Sequence, residues 1–345
     1  QDQTVGLNGA YILYETPSGK PEIWDHVVQN LVYYRFKDDL VSPILSGTNA
    51  PSVLCLCQWP EYESLTKILS MNNLNSKFLT SVFSEENIDS YDSSELSHFD
   101  LIILNNYKYN RSSKAFSLLK DYVEAGGKVF IDTGTEVPES EGQALPDLLP
   151  IKSSERRGLG KEWNLVKSED AIFEGIDLGQ FSPPIYNDDE WKFSYPPSGK
   201  DDPESKVLLT NHGKPILARK TLGNGTVVWS GMNLSYHVQS YTNVMESALY
   251  VNILESIIPL TSHDYVAGKP NFVSNRLVKF SSEATKGVLF REEFFEGWKV
   301  RLNGKKAKAY SAGPTYPGFI YVPLSNKNGP NEVRFSYDGA RSTHL

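Results

Sequence analysis

From residue 51 onward, short apolar runs alternate with segments whose apolar positions recur every three or four residues. Residues 52–58, 78–83, 100–105 and Lys128–Asp132 read as strands. The 100–105 run (Asp-Leu-Ile-Ile-Leu-Asn) is apolar almost throughout, as a strand covered on both faces would be. Between them, 61–71 places Tyr62, Leu65, Ile68 and Leu69 on one helical face. The 112–125 segment opens on Ser and stops at Gly126-Gly127, which predicts a second helix. Strand, helix, strand, turn, strand, helix, strand predicts an α/β domain with a doubly wound, mostly parallel sheet.

The flanks read differently. In 1–50, residues 11–14 have strand character and Trp24, Val27, Val28, Leu31 and Val32 follow helical spacing; this stretch is expected to be an extension packing on the first domain. Pro, Gly and charges break the rhythm across an insertion at about 138–205. Three short strands follow at 206–210, 215–219 and 226–230, parted by the turn signals Asn211-His212-Gly213 and Gly223-Asn224-Gly225. The span 241–258 reads as one long helix closed by Pro259, completing a domain over 51–262. After Pro270 the texture is all-β, with candidate strands at 277–280, 287–294, 298–302, 306–310, 319–323 and 331–337 and an Asn303-Gly304 hairpin signal. These predict a second, smaller all-β sandwich domain over 270–340.

Charge narrows the list of partners. The 345-residue chain carries 34 Lys and Arg against 42 Asp and Glu, a net charge of −8. With no basic stripe it lacks the phosphate contacts that nucleic acid requires; Lys305, Lys306 and Lys308 read as the solvated face of a hairpin. No apolar run reaches the length of a membrane-spanning helix, so membrane attachment is expected only through segments outside this chain. Gln1-Asp2 reads as a processed or trimmed end. Cys55 and Cys57 sit in an apolar strand, where residues two apart lie side by side and rarely meet disulfide geometry; buried free thiols are expected. The sequons at Asn110, Asn224 and Asn233 point to a glycosylated surface protein.

Two stretches carry family resemblances. The 100–105 strand, the helix after it and Ala125-Gly126-Gly127-Lys128-Val129-Phe130-Ile131-Asp132 resemble the core of class I glutamine amidotransferase-like (flavodoxin-like) domains, and Leu222–Gly231 is similar to their late strand. Catalytic members place a Cys directly after the strand matching Lys128–Asp132, where this chain reads Thr133-Gly134-Thr135-Glu136. The resemblance therefore implies the fold without its thiolate nucleophile. The family's His is matched by His237, which has no Cys to activate. A second resemblance rests on Phe290–Val300 with its Gly297-Trp298, on Asn303-Gly304-Lys305-Lys306 and on Phe319–Leu324. It is to the outward-facing β-domain that ends polytopic glycosyltransferase-like membrane proteins, and it implies an ectodomain of a larger membrane protein.

The expected role is a non-catalytic extracellular module that binds or positions a cell-surface glycan or a protein, with no cofactor and no metal. Aromatics at Tyr186, Trp191, Phe193 and Tyr195 are candidates for a sugar-stacking platform, with Tyr186, Trp191 and Tyr195 as ligand contacts. Asp188-Asp189-Glu190 lacks the alternation of a calcium loop and reads as a solvated acidic turn. Two other readings stay open: a hydrolase using Thr133 or Thr135 with His237, and a structural glycoprotein subunit that self-associates.

Overall fold

The computed structural model describes residues 5–7, 11–15, 21–25, 45–74, 78–133, 145–197, 202–263, 265–266, 277–282, 284–295, 297–313 and 318–337. The expected helix at 24–34 and the positions Gly134 and Thr135 lie wholly or largely outside them. The chain forms two compact units, one of 53–72 and 84–260, the other of 1–52, 73–83 and 261–345.

In the first unit the strands run, edge to edge, Leu165–Lys167, Ser205–Asn211, Lys214–Leu222, Gly225–Ser230, Lys128–Asp132, Leu101–Asn105 and Ser52–Cys57. The last four pair in parallel, and the other three pair antiparallel. The sheet is thus mixed: the parallel strands expected from the sequence form one part of it, and antiparallel hairpin strands extend it on one side. The reason is local: His212 and Gly213 both have positive φ, which closes a two-residue hairpin after Asn211, and Gly223-Asn224 closes the next. A hairpin forces antiparallel pairing.

Among the described residues five α-helices serve this unit: α1 (Trp59–Met71), α2 (Ser93–Leu96), α3 (Ser112–Glu124), α4 (Leu234–Tyr241) and α5 (Val244–Glu255). Helices α1, α4 and α5 pack on one another, while α3 packs on α2 and on the strands around Lys128–Asp132. Phe130 lies edge-on to Tyr250 of α5, ring centroids 5.2 Å apart. The single helix expected at 241–258 is two helices. Thr242 adopts the left-handed region at φ 54°, and the Asn243 side chain accepts from the Glu246 amide at 3.0 Å, starting α5 afresh.

Cys55 and Cys57 form a disulfide, their Cα atoms 5.5 Å apart, which corrects the expectation of free thiols. Their side chains share one face of the strand, and the separation falls inside the range that a disulfide spans.

The second unit is all-β in its described residues. Gly287–Glu293 and Phe319–Pro323 pair antiparallel, and Leu45–Thr48 pairs with Gly287–Glu293. Leu277–Ser282, Gly329–Tyr337, Trp298–Leu302 and Lys305–Ala307 make a separate four-stranded sheet. Val288, Phe290, Ile320 and Val322 from the one meet Val300, Leu302, Val333 and Phe335 from the other in a single core, the arrangement of a sandwich. Phe290 stacks on Phe335 at 4.2 Å between centroids. Asn303 and Gly304, both at positive φ, close the hairpin between Leu302 and Lys305. Among the described residues no helix is long and apolar enough to cross a membrane.

Candidate functional site

In open α/β sheets, ligands bind beyond the carboxyl ends of the parallel strands. Here that edge is a row formed by Cys57, Asn105, Asp132 and Ser230, which register places side by side. Helices α1 and α4 both begin just past it.

Asp132 organises the row. The α4 N-cap, Asn233, has φ 48° and its side chain makes no capping bond, so a neighbouring strand supplies the acceptor. The Asp132 carboxylate accepts from the Leu234 amide at 2.9 Å, the Ser235 amide at 2.9 Å and the Ser235 hydroxyl at 2.8 Å. Asn105 Nδ2 donates in turn to Ser235 Oγ at 2.8 Å. Burial raises the Asp132 carboxyl above the ordinary range, against the pull of the donors around it. At the other end of α4, the buried Lys67 donates to the Gln239 carbonyl at 2.9 Å and to Thr242 Oγ1 at 2.8 Å. Burial lowers the Lys67 ammonium from its usual value. A carboxylate at the start and an ammonium at the end both complement the helix dipole.

Thr133 follows Asp132 directly. Its hydroxyl is buried and donates to the Ser230 carbonyl at 2.7 Å, while its amide donates to the same oxygen at 2.9 Å. Residue 133 therefore ties two parallel strands together. His237, on α4, is equally committed. Nδ1 lies 2.8 Å from Glu246 Oε2 and Nε2 3.3 Å from the Pro183 carbonyl, and the ring is 1% exposed. The other carboxylate oxygen of Glu246 accepts from the Ser182 amide at 2.8 Å. Trp191 lies edge-on to the imidazole with centroids 4.5 Å apart.

The insertion supplies those contacts. Lys192–Tyr195 pairs with Glu155–Gly158, and Ser194 donates its amide to the Gly231 carbonyl at 2.8 Å. Only glycine permits this approach, because a Cβ on residue 231 would sit 1.8 Å from the Ser194 carbonyl oxygen. Trp191 Nε1 donates to the Met232 carbonyl at 2.8 Å.

The aromatic residues expected as ligand contacts separate. Trp191, Phe193 and Tyr195 are buried, and Tyr195 lies beside Lys214, whose ammonium is 5.6 Å from its ring centroid. Tyr186 is 44% exposed. Its ring lies 6.1 Å from Trp191 and 6.0 Å from Tyr236, and Trp191 stacks on Tyr236 at 6.0 Å. Asp188-Asp189-Glu190 completes a tight hairpin with Ile185-Tyr186, with Asn187 and Asp188 at positive φ. Asn110 and Asn224 are exposed. Asn233 is 5% exposed, which leaves no room for a glycan on its amide in the folded chain.

Sequence reading missed Glu61, Asn105, Asp132 and Tyr236. Glu61, in the first turn of α1, accepts from Asn106 Nδ2 at 3.2 Å through Oε1. Its Oε2 is buried without a hydrogen-bond partner among the described residues. Burial raises its carboxyl; hydrogen bonds from its own amide and Asn106 oppose the rise, and the charge of Glu85 adds to it.

The family described as "Domain of unknown function (DUF8560)" matches residues 78–237. Comparison with curated proteins returns no match. Among solved structures the chain is similar to a cytoplasmic protein from Salmonella typhimurium, at 17% identity and TM-score 0.41, covering 56% of this chain and 86% of that one. It is similar to a ThuA-like protein from Bacteroides uniformis, at 13% identity and TM-score 0.42, covering 61% and 92%. It is also similar to a β-galactosidase from Rahnella sp. R3, at 12% identity and TM-score 0.40, covering 84% and 42%. Likenesses at these scores do not establish shared activity.

Two expectations follow from this edge. Asp132→Ala strips the α4 amides of their acceptor and should lower unfolding free energy by about 2–4 kcal/mol, read by denaturant titration; an unchanged midpoint would contradict the capping role. Glu61 has its carboxyl raised in the fold, so its contribution to stability is present at low pH and lost as pH climbs through the folded value. Glu61→Gln should therefore melt higher than wild type at about pH 8 and lose that advantage near about pH 3.5. Melting curves that run parallel across the range would refute it.

Proposed function

We propose that the chain is a non-catalytic, extracytoplasmic module of a larger protein, which binds or positions a ligand at the cell surface. One observation carries the reading: Thr133 stands where amidotransferase-like enzymes hold their nucleophile, and its hydroxyl is spent on the Ser230 carbonyl. A hydroxyl serves as a nucleophile only with an adjacent base to take its proton. His237, the base suggested by the resemblance, has both ring nitrogens engaged by Glu246 and Pro183.

Under this reading the parallel strands Ser52–Cys57, Leu101–Asn105, Lys128–Asp132 and Gly225–Ser230 are a doubly wound, amidotransferase-like frame kept as a scaffold. The sandwich of the second unit corresponds to the outward-facing β-domain that the Gly297-Trp298 region resembles. Exposed sequons at Asn110 and Asn224 support an extracytoplasmic setting. So does the Cys55–Cys57 disulfide, since disulfides persist in oxidising compartments.

Thr133→Val preserves shape and removes the hydroxyl. Wild type and this variant should give the same background rate on chromogenic ester and amide substrates. Turnover by wild type above that background would overturn the reading, and its loss in the variant would assign the chemistry to Thr133.

A further inference from the structure

Helix α1 runs alongside α4 and the start of α5 with a constant offset. Ser64 donates to Gln239, Lys67 bonds Thr242, and the residue just past α1, Asn72, bonds Ser247. Ser64–Gln239, Lys67–Thr242 and Asn72–Ser247 are each 175 positions apart. One turn toward the amino ends, on the same face of each helix, the offset sets Glu61 against Tyr236. That turn lies at the carboxyl edge of the sheet, where α1 and α4 begin. Tyr236 donates its phenol to the Tyr186 hydroxyl at 3.3 Å, and Tyr186 is the exposed ring of the group.

The chemistry gathered there is one-sided. Glu61 Oε2, Asn105 Oδ1 and Asn233 Oδ1 are buried side-chain atoms without a hydrogen-bond partner among the described residues, and all three are acceptors. The charge of Glu85 acts on Glu61, and Asp188 lies between Tyr186 and Asp189 in the Tyr186 hairpin. Lys161 is spent on the Asp188 carbonyl. A carboxylate in the first turn of α1 suits the helix dipole, but the dipole does not explain a buried oxygen with no donor. Native structures leave few such atoms unsatisfied, and a half-buried unpaired charge costs stability.

We propose that Glu61, Tyr236 and Tyr186 form a binding site for a cationic nitrogen, an alkylammonium group carried by the ligand. An ammonium brings only donors, which matches an edge of unpartnered acceptors, and it is attracted to aromatic ring faces. A neutral sugar carries no charge to pair with Glu61, and the buried Trp191 and Tyr195 offer it no flat platform. The net charge of −8 draws cations toward the molecule. The site rests on the binding-module reading above and gives that module a ligand class.

The test is an NMR titration of the full chain with butylammonium chloride, against sodium chloride at equal ionic strength, butanol and methyl glucoside. Saturable shifts at the amides of Glu61, Tyr186 and Tyr236 are expected from butylammonium alone. Glu61→Gln should weaken the dissociation constant about tenfold. Tyr186→Leu, at an exposed position, should weaken it several-fold with an unchanged melting temperature. The inference is overturned if butylammonium gives no saturable shift, if Glu61→Gln binds as wild type does, or if methyl glucoside saturates the same amides instead. That last outcome would leave a binding module with a different ligand, whereas turnover of chromogenic substrates would remove the binding-module reading and leave this titration untouched.

Discussion

A short helix held at both ends by buried charge organises the carboxyl edge of this fold. Helix α4 is eight residues long, too short to persist alone. Asp132 takes its first amides, and Lys67 the Gln239 carbonyl in its last turn. Each charge is costly to bury, and each is offset by backbone groups that would otherwise lack partners. With α4 fixed, His237 is presented to Glu246, Tyr236 to Tyr186, and Gly231 to the insertion strand. The same two charges therefore set the positions of nearly every residue at the edge.

That arrangement also explains why the place after Lys128–Asp132 is structural. In a nucleophile turn the side chain must stand free above the strand ends. Here the strand ends are stitched: Thr133 bonds Ser230, and Ser235 joins Asn105 to Asp132. Glu61 Oε2, in the first turn of α1, is a buried acceptor left without a hydrogen-bond partner among the described residues.

Much of the frame was legible in the sequence because it depends on local pattern. The apolar runs at 101–105 and 128–132, the Gly126-Gly127 stop and the Asn303-Gly304 turn each encode their element within a few residues. The misreadings come from interactions that span the chain. The start of α4 depends on Asp132, which is 102 residues from Leu234, so no window around 234 contains the cap, and the break at Thr242 is bonded by Lys67, 175 positions away. Trp191 and Tyr195 alternate as a one-faced strand would, and burial by α4 and the sheet, not a ligand, accounts for both. Glu61 was invisible for the same reason: one acidic residue in a helix's first turn is ordinary until its partner Asn106, 45 positions away, is known. The Cys55–Cys57 pair was read from strand geometry alone, which gave the wrong bonding for a strand drawn in to 5.5 Å.

Asp132 pins the start of α4 to the sheet edge. Native-state hydrogen exchange at the Leu234 and Ser235 amides measures it directly. If Asp132 holds both, they exchange only when the whole unit unfolds, with protection equal to that of the Lys128–Asp132 strand. Exchange of these two amides at the rate of an open loop, with the strand still protected, would contradict the account.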